Sequence, residues 1–241
     1  MQIGSPDSKG QDMRVAIVEN TAATSHGQVG VALHEAGARV DVYKPWTGQP
    51  LPATVDADAL VVFGGEQSAL DDHTHPYLPQ LADLMAGYTA ADRAVLGICL
   101  GAQLAARAFG AQNLLGAAPE FGWCPVTLTD AGAADPLFAA LPRTFPIYQW
   151  HSDTFTLPEG AVQLATSAGA LQQGFRLGRA TYATQFHFEA SRAVVRDWRT
   201  AFAGAIEVAK PGWRFEEEAA SLGLAADAHG LAIARAWVGL V

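Results

Sequence analysis

Between Arg14 and Ala108 short β-branched runs alternate with helical stretches, and this alternation constrains the fold more than any other feature. Arg14-Val-Ala-Ile-Val18 has the make-up of a strand buried on both faces. Residues 27–37 follow as a helix, with Val31, Leu33 and Ala36 apolar and Gly37 placed as its stop. Residues 40–43 and 59–63 read as the next strands, the second ending in Gly64-Gly65. Pro76 opens a helix carrying Leu78, Leu81, Leu84 and Met85 at helical spacing. Residues 94–98 form a further strand that runs into Cys99, and Leu104, Ala105 and Ala108 lie on the helix after it. Short connections in such a series imply a parallel sheet covered on both faces.

Beyond this region the pattern changes. Residues 123–129, 144–150, 162–166 and 181–188 read as strands joined by turns, which adds antiparallel pieces at the sheet's edge or end. A helix over 191–208, a Pro211-Gly212 break and a helical segment over 225–241 complete the chain. No repeat or linker interrupts it. The expected architecture is therefore α/β, a single-domain open, mostly parallel sheet flanked by helices with added antiparallel strands. Residues 1–12 are polar, lack the apolar centre of a signal peptide and read as a loose tail, with Met13 a candidate start.

Composition narrows the partners. Fifteen Lys and Arg against twenty-four Asp and Glu give a net charge of −9, which argues against a nucleic-acid surface. No apolar run approaches the ~20 residues of a membrane span. Two cysteines, Cys99 and Cys124, make no disulfide framework, so a reducing, cytoplasmic setting is expected.

Gly97-Ile98-Cys99-Leu100-Gly101 sits where a strand turns into a helix. A residue at that corner takes a strained backbone conformation, and flanking glycines remove the side chains that would clash. Its side chain then stands above the strand's end with the helix N-terminus beneath it, where the dipole favours a thiolate. This is the logic of a nucleophile elbow with Cys in place of Ser. The pentapeptide alone is equally compatible with a buried structural cysteine. Cys124, in a strand beside Pro125, has no such context and reads as core.

Gln185-Phe186-His187-Phe188-Glu189 follows a strand and precedes a helix. In extended backbone His187 and Glu189 point the same way, so the carboxylate can orient the imidazole. An isolated His-x-Glu is most often a surface pair. Two half-signals in one chain, a cysteine elbow and a base with its orienter, shift the balance towards nucleophilic catalysis.

With Gly-Ile-Cys-Leu-Gly-Ala-Gln and Gln-Phe-His-Phe-Glu both present, the chain resembles the class I (triad) glutamine amidotransferases, in particular the amidotransferase domain of GMP synthetase and its stand-alone relatives. The resemblance covers about residues 14–204 of a domain taken as 13–241, with a helical extension over 212–241. It implies Cys99, His187 and Glu189 as a catalytic triad that hydrolyses the γ-amide of glutamine, or a related γ-glutamyl compound, through a glutamyl thioester. Phe63-Gly-Gly-Glu-Gln-Ser68 matches the family's glycine pair, which makes the backbone amides of Gly65 and Leu100 the implied oxyanion hole. Gln103 matches a side-chain contact to substrate, and His151, Ser152 and Asp153 match the segment that holds the substrate's amino-acid end. Glu66 and Phe188 replace family prolines, which bears on the pocket's rim and the γ-glutamyl substrate taken. No cofactor or metal is implied. Asp71-Asp-His73-Thr-His75 lacks further ligands at a recognisable spacing and reads as a polar loop closing the pocket's edge.

Alternatives remain at this level. The chain carries no phosphate-binding loop and no ammonia-consuming domain, so an ammonia-supplying role requires a separate synthetase chain. A self-sufficient γ-glutamyl-cleaving enzyme needs none. Weaker readings, given the intact triad and the linked Gln103, are another cysteine-elbow hydrolase and a catalytically idle binding subunit. After Gly212, Trp213, Phe215, Leu222, Leu224, Leu231, Ile233, Trp237 and Val238 are expected to pack back onto the domain; the alternative is a docking face for a partner or a homodimer.

Overall fold

The computed structural model describes residues 13–241. The expected tail, residues 1–12, lies outside them. The chain runs β1 (Arg14–Val18), α1 (Gly27–Glu35), β2 (Arg39–Tyr43), β3 (Ala59–Val62), α2 (Leu78–Ala90), β4 (Ala94–Ile98) and α3 (Leu100–Ala108). It continues through β5 (Asn113–Leu114), β6 (Glu120–Leu128), α4 (Asp130–Ala134), β7 (Thr144–His151), β8 (Thr154–Phe155), β9 (Val162–Thr166), β10 (Gly174–Leu177) and β11 (Thr181–Thr184). Helices α5 (Arg192–Ala201), α6 (Ala203–Ala209), α7 (Phe215–Glu218) and α8 (Leu224–Val238) close it.

The main sheet has nine strands in the order β2-β1-β3-β4-β11-β10-β9-β6-β7. The first five are parallel and the remaining pairings antiparallel. This is the expected α/β architecture. Successive strand residues point to opposite faces, and here both faces are covered. Val15, Ile17, Val61, Leu96 and Ile98 join one core cluster with Val29 and Leu33 of α1 and Ile233 and Trp237 of α8. Ala16, Val18, Leu60, Val62 and Val95 join a second with Leu81 and Met85 of α2 and Leu104 of α3. The segment after Gly212 thus packs back, though Leu222 and Leu224 stay exposed. Among the described residues no helix is long and apolar enough to cross a membrane.

Three expectations need correction. The helix expected over 191–208 is broken at Phe202, whose backbone (φ −120°, ψ 31°) leaves the helical region and separates α5 from α6. The strand expected over 181–188 ends at Thr184, level with Ile98 where its parallel partner β4 ends, and beyond it His187 keeps only an isolated antiparallel bridge to Tyr148. Cys124 is only partly buried, not core: Trp123 takes the inward place on β6. β10 escaped notice because its four residues, Gly174–Leu177, are too few to show a period.

Candidate active site

Strand order brings the candidate residues together. Strand order reverses about β1, with β2 on one side and β3 on the other and all three parallel, and open α/β sheets offer their binding crevice at the carboxyl ends beside such a point. Asn20 follows β1, Gly64 and Gly65 follow β3, Cys99 follows β4, and His187 and Glu189 follow β11.

Cys99 has φ 53° and ψ −107°, a positive φ that costs a non-glycine residue on the order of 1–3 kcal/mol. Both sides hold it there: its amide donates to the Thr184 carbonyl at 2.8 Å, and its carbonyl accepts from the Gln103 amide at 3.0 Å. The flanking glycines leave room for the turn. A Cβ on Gly97 would stand 2.4 Å from the Gly101 carbonyl oxygen, and one on Gly101 would stand 2.0 Å from the Val62 carbonyl oxygen. Gly101→Ala should therefore push α3 off β3 and cost about 1–3 kcal/mol, read as a lower urea midpoint at unchanged slope. An unchanged midpoint would contradict the close approach.

His187 Nδ1 donates to Glu189 Oε1 at 2.6 Å, and both side chains are buried. Cys99 stands on the same side of the ring, and its thiol donates to the Trp150 carbonyl at 3.8 Å. Gly64 permits this meeting, since a Cβ there would lie 3.1 Å from His187 Cε1 and 3.5 Å from Cys99 Cβ. Burial by itself would lower the His187 pKa, but the negative charges of Glu189 and of a Cys99 thiolate outweigh it and hold it well above the ordinary value. The main chain around the pair is anchored from two sides. The His187 amide donates to the Tyr148 carbonyl at 2.8 Å, and the Glu189 carbonyl accepts from the Gln28 amide at 2.9 Å. Gly27, at φ 45°, is what lets α1 start there: a Cβ would stand 1.9 Å from the Glu189 oxygen.

Gly65 and Leu100 are neighbours at this centre: a Cβ on Gly65 would stand 2.8 Å from Leu100 Cδ2. Leu100 opens α3, so its amide is one of the four that no intrahelical carbonyl can reach. Among the described residues neither amide donates to another protein acceptor. A side-chain network that sequence reasoning missed holds the Gly65 loop. Asn20 Nδ2 donates to the Phe63 carbonyl at 2.8 Å, Gln67 Nε2 to the Asn20 carbonyl at 3.2 Å and to Tyr77 Oη at 2.7 Å, and Tyr77 Oη to Asn20 Oδ1 at 3.2 Å. Burial pushes the Tyr77 phenol up to about 12, so it remains a donor at neutral pH. A polar residue just beyond the end of a buried strand was the only signal for Asn20.

Gln103 is buried one turn along α3, with Nε2 donating to Gln185 Oε1 at 3.3 Å. The buried His151 ring has Nδ1 3.1 Å from the Asp153 carbonyl and Nε2 3.3 Å from Glu120 Oε2. Ser152 is exposed, and Asp153 Oδ1 accepts from the Gly116 amide at 2.8 Å. Burial pushes the Glu120 carboxyl up, but the nearby His151 ring and a hydrogen bond from Ser167 hold it below its ordinary value.

One cavity of about 410 Å³ joins Cys99, His187, Glu189, Gly65, Leu100, Gln103 and residues 151–153. Its other wall comes from residues 21 and 23–25 and from Trp150, Trp198, Phe202 and Ala205. Sequence reasoning placed Trp150 only within the 148–153 segment matched to the substrate's amino-acid end, and Trp198 and Phe202 at no site; a Trp on an amphipathic helix reads as packing. Glu66 is at the rim as expected, its Oε1 accepting from Thr21 Oγ1 at 2.8 Å. Phe188 is not. Its ring is buried 6.4 Å from that of Phe186 in the core, so it does not shape the rim. The loop 71–75 also stays clear of the cavity: Asp71 caps the Ser68 amide and Asp72 forms a bidentate pair with Arg107.

The arrangement sets a cysteine sulfur and an imidazole–carboxylate pair on one cavity, with the backbone amides of Gly65 and Leu100 free beside them. A family model for class I glutamine amidotransferases matches residues 18–196. The glutamine amidotransferase-like protein YfeJ of Salmonella typhimurium is 35% identical over 181 residues, 73% of this chain and 76% of that protein. A component of the glutamine-hydrolysing GMP synthase of Thermoplasma acidophilum is 28% identical over 198 residues, 73% of this chain and 84% of that one. Among solved structures, a glutamine amidotransferase from Methylobacillus flagellatus superposes with a TM-score of 0.85 at 25% identity, covering 95% of each chain. One from Thermotoga maritima, at 23% identity, matches with the same TM-score of 0.85 over 95% of this chain and 97% of that one, and bears on the fold alone.

Proposed function

The chain belongs to the class I glutamine amidotransferases, and from that premise we propose that it hydrolyses the γ-amide of glutamine, or of a related γ-glutamyl compound, with Cys99, His187 and Glu189. The observation that carries this reading is the 2.6 Å contact of His187 Nδ1 with Glu189, on a ring that meets the one cysteine held at positive φ.

The Cys99 thiolate attacks the γ-carbonyl carbon, and the oxygen takes up negative charge between the amides of Gly65 and Leu100. A donor of this kind is worth about 10²–10³ in kcat. The tetrahedral intermediate expels the amide nitrogen with a proton from His187, leaving a glutamyl thioester. Water then attacks the thioester, His187 accepts its proton, and glutamate leaves as Cys99 is regenerated. Glu189 holds the ring and balances its charge throughout. Gln103 and residues 151–153 hold the amino-acid end of the substrate.

A second reading, in which the chain supplies ammonia to a separate synthetase chain, is favoured by the similarity to a component of a glutamine-hydrolysing GMP synthase. Steady-state release of ammonia and glutamate from glutamine by the purified chain alone separates the two. Cys99-dependent turnover well above background is expected. Turnover at background that rises only when a synthetase chain is added supports the ammonia-supplying role instead.

A further inference from the structure

The cavity is larger than a γ-glutamyl group needs; about 410 Å³ falls in the range that encloses drug-sized ligands. We propose that the preferred substrate is an N-substituted γ-glutamyl amide whose leaving amine carries an aromatic group without a carboxylate, seated against Trp150, Trp198 and Phe202. This rests on the catalytic reading of Cys99 and His187 given above.

The chemistry decides which side of the cavity the leaving group occupies. The general acid must lie within hydrogen-bond reach of the nitrogen it protonates, so any substituent on that nitrogen extends past His187. The Trp198 ring is the surface found there, edge to face with the His187 ring at 5.2 Å between centroids. Trp150 is 6.0 Å from Trp198, and Phe202 is 5.4 Å from Trp150, both edge to face. None of the three is buried, whereas nearby Tyr148 is fully so. Trp198 is fixed by its indole N–H, which donates to the Ala23 carbonyl at 3.0 Å. The break between α5 and α6 falls at Phe202, which lines the cavity together with Ala205. A rigid, partly exposed aromatic wall of this kind favours a ring at offset or edge-on distances.

Charge narrows the substituent further. Among the described residues no Lys or Arg lines the cavity, while Glu66 stands at its rim. A leaving amine that carries a carboxylate, as in a γ-glutamyl peptide, would lose water there without gaining a counter-ion. An arylalkyl amine meets no such cost. The bonds are those of the proposed reaction: the C–N bond breaks as the C–S bond forms, the His187 proton goes to the nitrogen, and water completes release of glutamate.

The test compares kcat/KM for γ-glutamylbenzylamide, glutamine and γ-glutamylglycine on the full chain. Benzylamine and ammonia are of similar basicity, so the comparison reads recognition more than leaving-group chemistry. The benzylamide should exceed glutamine about tenfold or more, and γ-glutamylglycine should not exceed glutamine. In Phe202→Ala the benzylamide-to-glutamine ratio should fall at least about fivefold, and Phe202→Leu should restore part of it. Cys99-dependent turnover of glutamine with no benzylamide preference overturns this inference alone. So does a ratio unmoved by Phe202→Ala, or γ-glutamylglycine as the best substrate. No Cys99-dependent turnover of any of the three, with or without an added synthetase chain, sinks the catalytic reading with it.

Discussion

Cys99→Ser is expected to remove glutamine turnover by on the order of 10⁴-fold or more in kcat while leaving the urea midpoint close to that of the parent. The size of the loss follows from what the site provides. In the proposed reaction sulfur attacks with the His187 ring beside it and the N-terminus of α3 below, and a serine hydroxyl is a far weaker nucleophile in the same place. Serine occupies much the same volume and the same positive φ, so the fold should tolerate it. Cys124→Ser is the matching control. Burial pushes the Cys124 thiol up to about 11, so it stays protonated at neutral pH, and it is no part of the cavity wall. An electrophilic glutamine analogue should label Cys99 alone. Labelling of Cys124, or loss of turnover in Cys124→Ser, would overturn the assignment.

Glu189→Gln should lower kcat by on the order of 10²–10⁴ with little change in KM, because the carboxylate touches the imidazole and not the substrate. A neutral amide neither selects the tautomer with a proton on Nδ1 nor balances the charged ring. The pH profile supplies an independent check. Glu189 is among the charges that raise the His187 pKa, and burial opposes them. Without the carboxylate, burial prevails and the ring loses its proton at lower pH. The alkaline limb of kcat/KM, which reports loss of the imidazolium, should then move to lower pH. A variant with raised KM, intact kcat and an unmoved alkaline limb would show that Glu189 serves binding instead.

Much of the site was legible because its signals are local. The strained corner at Cys99 needs glycines at fixed offsets whatever else the chain does, and Gly97 and Gly101 declare it. His187 and Glu189 are two residues apart, so extended backbone alone sets them on one side. Strand and helix periods likewise report each element's buried face, and an alternating series of them restricts the sheet to a few topologies. Those properties belong to the sequence itself.

What it left open depends on neighbours distant in the chain. β11 pairs with β4 so that Ile98 is level with Thr184, and only this register sets His187 beside Cys99. The network of Asn20, Gln67 and Tyr77 behind Gly65 joins the loop after β1 to the one between β3 and α2. The approach of α1 to Glu189 through Gly27, the inward turn of Phe188 and the wall of Trp150, Trp198 and Phe202 are of the same kind. A side chain's period shows that it faces something, and tertiary packing alone determines what that is. Sequence reasoning set Phe188 at the pocket's rim and Trp198 at no site, yet α8 packs over Phe188 in the core, while Trp198 of α5 stands on the cavity wall.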